Sequence, residues 1–222
     1  MAGANAPDLQ TSAPPVSWLD QQVRQLDPGR WLTSRFVRDP VRREDVLAIY
    51  AFEAELAAIP TRVSQPLLAE MRLRWWSDQL DGVFSGQPRK GHPILEALSA
   101  AAHRHDLDRE AFAAVIESRI ERVHGEAADV QALAVGPMRQ AARVLGAHGD
   151  EPAIEPAARL YWATQAGDCD AWATLRHQTN ERLRRFPVAA FPALLPAALG
   201  VGTDSPLRLR LRLVWATLLG RI

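Results

Sequence analysis

Apolar positions recur every three or four residues over most of this chain, the period of a helix with one face against a core. Between Asp45 and Ile59, the residues Val46, Ile49, Phe52, Leu56 and Ile59 make one such face. Pro60 is expected to end that helix, because its ring removes an N–H and crowds the preceding turn. A second helix is predicted over Ser64–Phe84, with Ser64 as N-cap, Pro66 in the first turn and Gly82 as the stop. Its apolar residues fall on two stripes, Leu68, Met71 and Trp75 on one and Leu73, Trp76 and Leu80 on the other. A helix apolar on two sides is packed on two sides, so this one is expected in the middle of the domain.

Further helices are predicted over Pro93–Arg104, Arg109–Val123, Ala128–Leu145 and Ile154–Arg176, with Gly146 capping the third and a turn at Gly149–Pro152. Two more, around Val188–Leu199 and Leu207–Leu219, close the chain. The stretch "LRLRLRLVW" alternates like a strand, yet Ser205-Pro206 is a helix start, and Leu207, Leu211, Val214 and Leu218 align on one helical face. With no partner strand in the sequence, a helix is expected. The predicted fold is all-α, a single-domain helical bundle over residues 18–222 behind a disordered tail at 1–17, which is rich in Ala, Pro and Ser.

Composition narrows the function classes. The chain has 222 residues, 47% of them hydrophobic, enough for one sizeable core. Twenty-six basic residues balance 26 acidic ones, so the basic surplus of a nucleic-acid binder is missing and no nucleic-acid partner is expected. The apolar run Val188–Gly202 is short and broken by Pro192 and Pro196, so no transmembrane helix is expected. The N-terminal residues lack the basic and apolar regions of a signal peptide. A cytoplasmic protein is expected, with peripheral membrane contact left open. Cys169 is the single cysteine, and Asp168 and Asp170 beside it would raise a thiol pKa, against a nucleophilic role.

Candidate metal chemistry is sparse. Glu53 and Glu55 are two apart, so on a helix they point about 200° away from each other and cannot hold one ion together. Pairs at productive spacing are Asp78 with Asp81 and Glu117 with Glu121, the latter followed by His124 in a Glu-x-x-His step. A di-iron bundle needs a second such step, and the sequence has none. Six histidines show no zinc spacing, and no Gly-x-Gly-x-x-Gly, phosphate-loop or Gly-x-Ser-x-Gly motif occurs. Seven tryptophans are the more specific signal. Tyr50, Phe52, Trp75, Trp76, Tyr161 and Trp162 are either core volume or the wall of an apolar cavity.

The blocks "DPGRWLTSRFV", "LAIYAFEAELAAIP", "SQPLLAEMRLRWWSDQLDG", "HPILEAL" and "VIESRIERV", in this order, resemble the squalene/phytoene synthase family. The likeness runs from about Asp27 to Leu199. It is strongest for a divergent branch that includes proteins similar to a mitochondrial complex I assembly factor. The resemblance implies a fold of the isoprenoid-synthase type. It implies, for active members, head-to-head joining of two prenyl diphosphates held by magnesium between two Asp-rich helices. This chain departs from that pattern where the metal would sit. Ala57 and Ala58 stand at the first Asp-rich step, and the second region offers only Asp168 and Asp170.

Three readings follow. The first is a non-catalytic member, a pseudoenzyme with no cofactor, serving as a respiratory-complex assembly factor with a protein partner or binding an isoprenoid or other lipid. Its candidate cavity residues are Ser34, Arg35, Tyr50, Phe52, Trp75, Trp76 and Tyr161, with no catalytic residue and no metal site. The second is a prenyl transferase that holds magnesium or diphosphate through Glu53, Glu55, Asp168 and Asp170. The third is a helical protein-interaction module.

Overall fold

The computed structural model describes residues 17–148, 151–200 and 205–222. The predicted disordered tail, save Ser17, and the Gly149 end of the predicted turn lie outside them. The described residues form helices and turns only, with no strand among them. In chain order the α-helices are α1 (Trp18–Leu26), α2 (Pro28–Ser34), α3 (Pro40–Arg62), α4 (Pro66–Phe84), α5 (Pro93–His105), α6 (Arg109–Val123), α7 (Gly136–Val144), α8 (Ile154–Ala166), α9 (Cys169–Arg182) and α10 (Pro206–Leu219). The expected all-α bundle is what the chain forms.

The central element is α3. Its residues from Val46 to Ala54 are buried on every side, which a one-sided apolar stripe does not describe. Helices α1, α2, α4, α5, α6 and α7 all pack on it. Asp39 caps its start by accepting from the backbone N–H groups of Val41 and Arg42. Pro60 does not end it. The proline sits in the last turn, and the helix runs on to Arg62 before Val63 turns extended.

The position of α4 corrects the sequence reading. Leu73, Trp76 and Leu80 are buried against α3, α5 and α6, but Leu68 and Met71 face outward with Leu67. The stripe of Leu68, Met71 and Trp75 is therefore packed only at its Trp75 end, and the middle of the domain belongs to α3. Ser64 is not its cap either, since Gln65 occupies that place without a side-chain bond. Gly82 lies inside the last turn of α4 rather than after it. There the Gln87 carbonyl approaches so closely that a Cβ on residue 82 would meet its oxygen at 2.7 Å.

Two predicted long helices are interrupted. The stretch expected as one helix from Ala128 opens as a π-turn, Gln131–Val135, and only then becomes α7. Pro137 is the reason, because its ring crowds the carbonyl four residues back and the turn widens. The stretch Ile154–Arg176 divides at Gly167, whose φ of 71° closes α8, and Asp168 then caps α9 through the Ala171 N–H at 2.9 Å. The segment around Val188–Leu199 forms two 3₁₀ turns, Val188–Ala193 and Leu195–Leu199, broken up by Pro192 and Pro196. The ambiguous C-terminal segment is a helix, with Ser205 capping Arg208 N–H at 3.3 Å.

Gly82→Ala tests the close approach at the end of α4. Helix propensity alone favours alanine by about 1 kcal/mol. The backbone clash reverses that sign, and a net loss of about 1–3 kcal/mol in urea unfolding is expected.

Candidate functional site

The polar centre of the bundle is built by α2 and α3. Pro28 opens α2, and Asp27 before it accepts from the Arg30 N–H at 2.9 Å. Three residues on, Arg30, Thr33 and Ser34 turn polar side chains towards the interior. Arg30 alone reaches the centre. Its Nη1 donates to Glu53 Oε2 at 2.8 Å and its Nε to Asp27 Oδ2 at 2.5 Å. Both Arg30 and Glu53 are almost fully buried.

Two phenols wall this pair. The Arg30 guanidinium carbon lies 5.0 Å from the Tyr50 ring centroid and 5.8 Å from that of Tyr161. Tyr50 and Glu53 are three apart on α3 and so share a face. The space left among Arg30, Tyr50, Glu53, Leu133, Met138 and Tyr161 is about 20 Å³. That is room for about one water molecule, not for a prenyl chain. Glu53 Oε1 is buried without a hydrogen-bond partner.

Electrostatics follow from burial. Burial lowers the affinity of Arg30 for its proton, but Glu53, Tyr161 and Asp27 together outweigh it and hold the guanidinium well above its ordinary range. Burial pushes the Glu53 carboxyl above its usual value, and Arg30 pulls it part of the way back. Burial likewise raises Tyr50, and pushes Tyr161 up to about 12, so both rings stay neutral at ordinary pH. Arg119, on α6, adds a second buried guanidinium whose affinity for its proton burial lowers and Glu53 partly restores. Arg30 and Arg119 balance Asp27 and Glu53, and the cluster is close to neutral as a whole.

The residues predicted as a cavity lining do not meet in one place. Tyr50 and Phe52 are two apart on α3 and point to opposite sides, for the same reason as Glu53 and Glu55. Phe52 instead meets Trp76 and Phe112 edge-on at 5.6 and 5.4 Å. Trp75 and Trp76 pack against His92, the cap of α5, at 5.5 and 5.2 Å. These rings join α3, α4, α5 and α6 as core. Only Tyr50 and Tyr161 reach Arg30. Trp162 lies under Arg122, 5.8 Å away, half-buried at the edge of the core. Ser34 Oγ donates to the Trp31 carbonyl at 2.7 Å, and Arg35 is exposed beside Trp31.

The candidate metal or diphosphate contacts are also dispersed. Glu53 is paired with Arg30. Glu55 faces away, bonded to Gln22 and to Arg62, the latter at 2.7 Å. Asp168 is a helix cap, and Asp170 is exposed in the first turn of α9. His124 of the Glu-x-x-His step bonds Glu70 at 2.8 Å rather than Glu121, and Glu117 pairs with Arg74. Among the described residues no three His, Cys, Asp or Glu side chains converge as a metal would need.

Arg30 was not singled out in the sequence, although it stands in the quoted block. The readable signal is an Asp-Pro-Gly-Arg start in which the arginine falls on the same helix face as Thr33 and Ser34, with α3 next to it.

The Arg30–Glu53 pair generates two expectations. Arg30→Met leaves a buried carboxylate unpaired, and a loss of about 3–5 kcal/mol in chemical unfolding is expected, with most of it recovered in Arg30→Met/Glu53→Leu. The folded carboxyl of Glu53 lies above its ordinary value of 4.5. The folded state therefore holds that proton more tightly, and stability falls as pH rises from 4.5 through the folded value. Glu53→Gln removes that slope, which pH-resolved unfolding reads directly.

Comparison with known proteins fits this picture. The family model described as squalene/phytoene synthase matches residues 23–160. Among curated proteins, the chain is similar to "NADH dehydrogenase (ubiquinone) complex I, assembly factor 6" of Bos taurus, 29% identical over 85 residues, which is 38% of this chain and 25% of the bovine protein. It is similar to the Homo sapiens protein of the same name at 23% identity over 117 residues, covering 45% of this chain and 35% of that protein. A homolog from Dictyostelium discoideum is 21% identical over 99 residues, 45% of this chain and 28% of that protein. The matches thus span between 25% and 35% of these relatives' own length. With the helical bundle and the family match over more than half of its length, this chain belongs to the squalene/phytoene synthase family.

Proposed function

We propose that this chain is a non-catalytic member of its family that acts as an assembly factor for a respiratory complex, using its helical surface rather than a central chamber. The observation that carries the reading is the closed centre. Where a diphosphate and its metals would need hard oxygen ligands facing each other across a space, Ala57 and Ala58 occupy α3 and Arg30 is locked to Glu53 between two tyrosines. The carboxylates that an atypical metal site would require are already engaged elsewhere or exposed apart, Asp168 as a helix cap and Glu55 with Arg62. The similarity to proteins named as complex I assembly factors supplies the biological direction.

Of the two non-catalytic readings, the space of about 20 Å³ favours a protein partner over an isoprenoid ligand held inside the bundle. The alternative of an active prenyl transferase is tested by the same experiment. Incubation with farnesyl or geranylgeranyl diphosphate and magnesium is expected to release pyrophosphate only at the background rate, for the wild type and for Asp168→Ala alike. Turnover that Asp168→Ala abolishes would overturn the non-catalytic reading. Deleting the gene is expected to lower the activity of assembled complex I in the cell of origin. An unchanged activity would remove the assembly role.

A further inference from the structure

The last helix presents two apolar faces, and the protein uses only one. Leu209, Leu213 and Ala216 turn inward, with Leu213 and Ala216 buried. On the other side, Leu207, Leu211, Val214, Trp215 and Leu218 fall within about 100° of arc. All five are exposed, Trp215 by 60% and Leu218 by 72%. An apolar stripe of that regularity turned to water costs solvation free energy, and a soluble surface helix carries polar residues there.

The charges around the stripe indicate what covers it. At 100° per residue, Arg208 stands at one edge of the stripe and Arg210 at the other. From Ser205 to Ile222 there are four arginines and no Asp or Glu, in a chain whose formal net charge is zero. The cationic character continues past the helix. A groove of about 520 Å³ between α9 and the C-terminal residues is lined by Trp172, Arg176, His177, Asn180, Arg184 and Arg221, with Glu181 as its only acid. The three guanidiniums outnumber that single carboxylate, so the lining is cationic.

We propose that α10 is a membrane-docking helix for anionic bilayers. It lies in the plane of the surface, with the Leu207–Leu218 stripe at the headgroup–acyl boundary. Arg208 and Arg210 flank it at headgroup level, where a tryptophan such as Trp215 is also favoured. The groove at its C-terminal end takes the phosphate of an anionic headgroup. Among the described residues no helix is long and apolar enough to cross a membrane, so the attachment is peripheral. This assignment does not depend on the assembly role or on the absence of catalysis.

Vesicle co-sedimentation of the full chain tests it. The wild type is expected to pellet with vesicles of phosphatidylcholine mixed with phosphatidylglycerol, weakly with phosphatidylcholine alone, and less as salt is raised. Leu211→Asp/Leu218→Asp changes two exposed positions, so the fold should survive, which circular dichroism checks. The expected loss in partitioning is about tenfold or more. Arg208→Ser/Arg210→Ser should lose roughly tenfold on the anionic vesicles and little on the neutral ones. It keeps the test open if the first variant unfolds. Absence of binding to anionic vesicles, or equal binding by Leu211→Asp/Leu218→Asp, would overturn the proposal. So would sedimentation of the wild type as a dimer that the leucine variant dissociates, with no vesicle binding, because the stripe would then belong to a second copy.

Discussion

The structure depends on one ion pair held out of water. Arg30 enters the bundle from α2 and meets Glu53 on α3, and almost everything near the centre is arranged around keeping that contact satisfied. Asp27 takes a second edge of the guanidinium, and Tyr50 and Tyr161 offer it aromatic faces instead of water. A buried pair of this kind gains little net free energy, because desolvating two charges costs about what their attraction returns. Its effect is on geometry. The 2.8 Å contact to Glu53 ties α2 to α3, the 2.5 Å contact to Asp27 holds the arginine that makes it, and the three side chains occupy the centre between the helices.

In this member of the squalene/phytoene synthase family the buried charges at the centre of the bundle nearly cancel. Arg30 is paired with Glu53, Asp168 caps α9 and Glu55 bonds Arg62, while Asp170 stays exposed. What the molecule offers to its surroundings is on the outside. Leu67, Leu68 and Met71 on α4 and the outer face of α10 are two places where apolar area still faces water.

How much of this was legible depends on how local the cause is. The bounds of α6 and the start of α5 could be read directly, because caps and prolines act within one turn. The break at Gly167 was also written in the chain, as a glycine followed by a capping aspartate, but a continuous apolar period across it masked the signal. The central role of α3 was not readable from its pattern, since five apolar residues at helical spacing look the same whether the remaining faces are wet or buried. The opposite error occurred at α4, where Leu68 and Met71 suggested burial that no neighbour provides. Arg30 was missed because nothing in sequence brings positions 30 and 53 together. Their meeting is a property of how two helices cross. Tyr50 and Phe52 were expected to line one cavity, although the spacing that separates Glu53 from Glu55 separates them too.

The enclosure of α3 also orders events during synthesis. Its covers come from both directions along the chain, α1 and α2 before it and α4 to α7 after it, the last of these ending at Val144. A nascent chain that has released α3 but not α7 carries an apolar helix with part of its circumference bare. Such a surface associates readily with other unfinished chains. The protein's most protected element is thus its most vulnerable one for as long as the ribosome still holds the residues that will cover it.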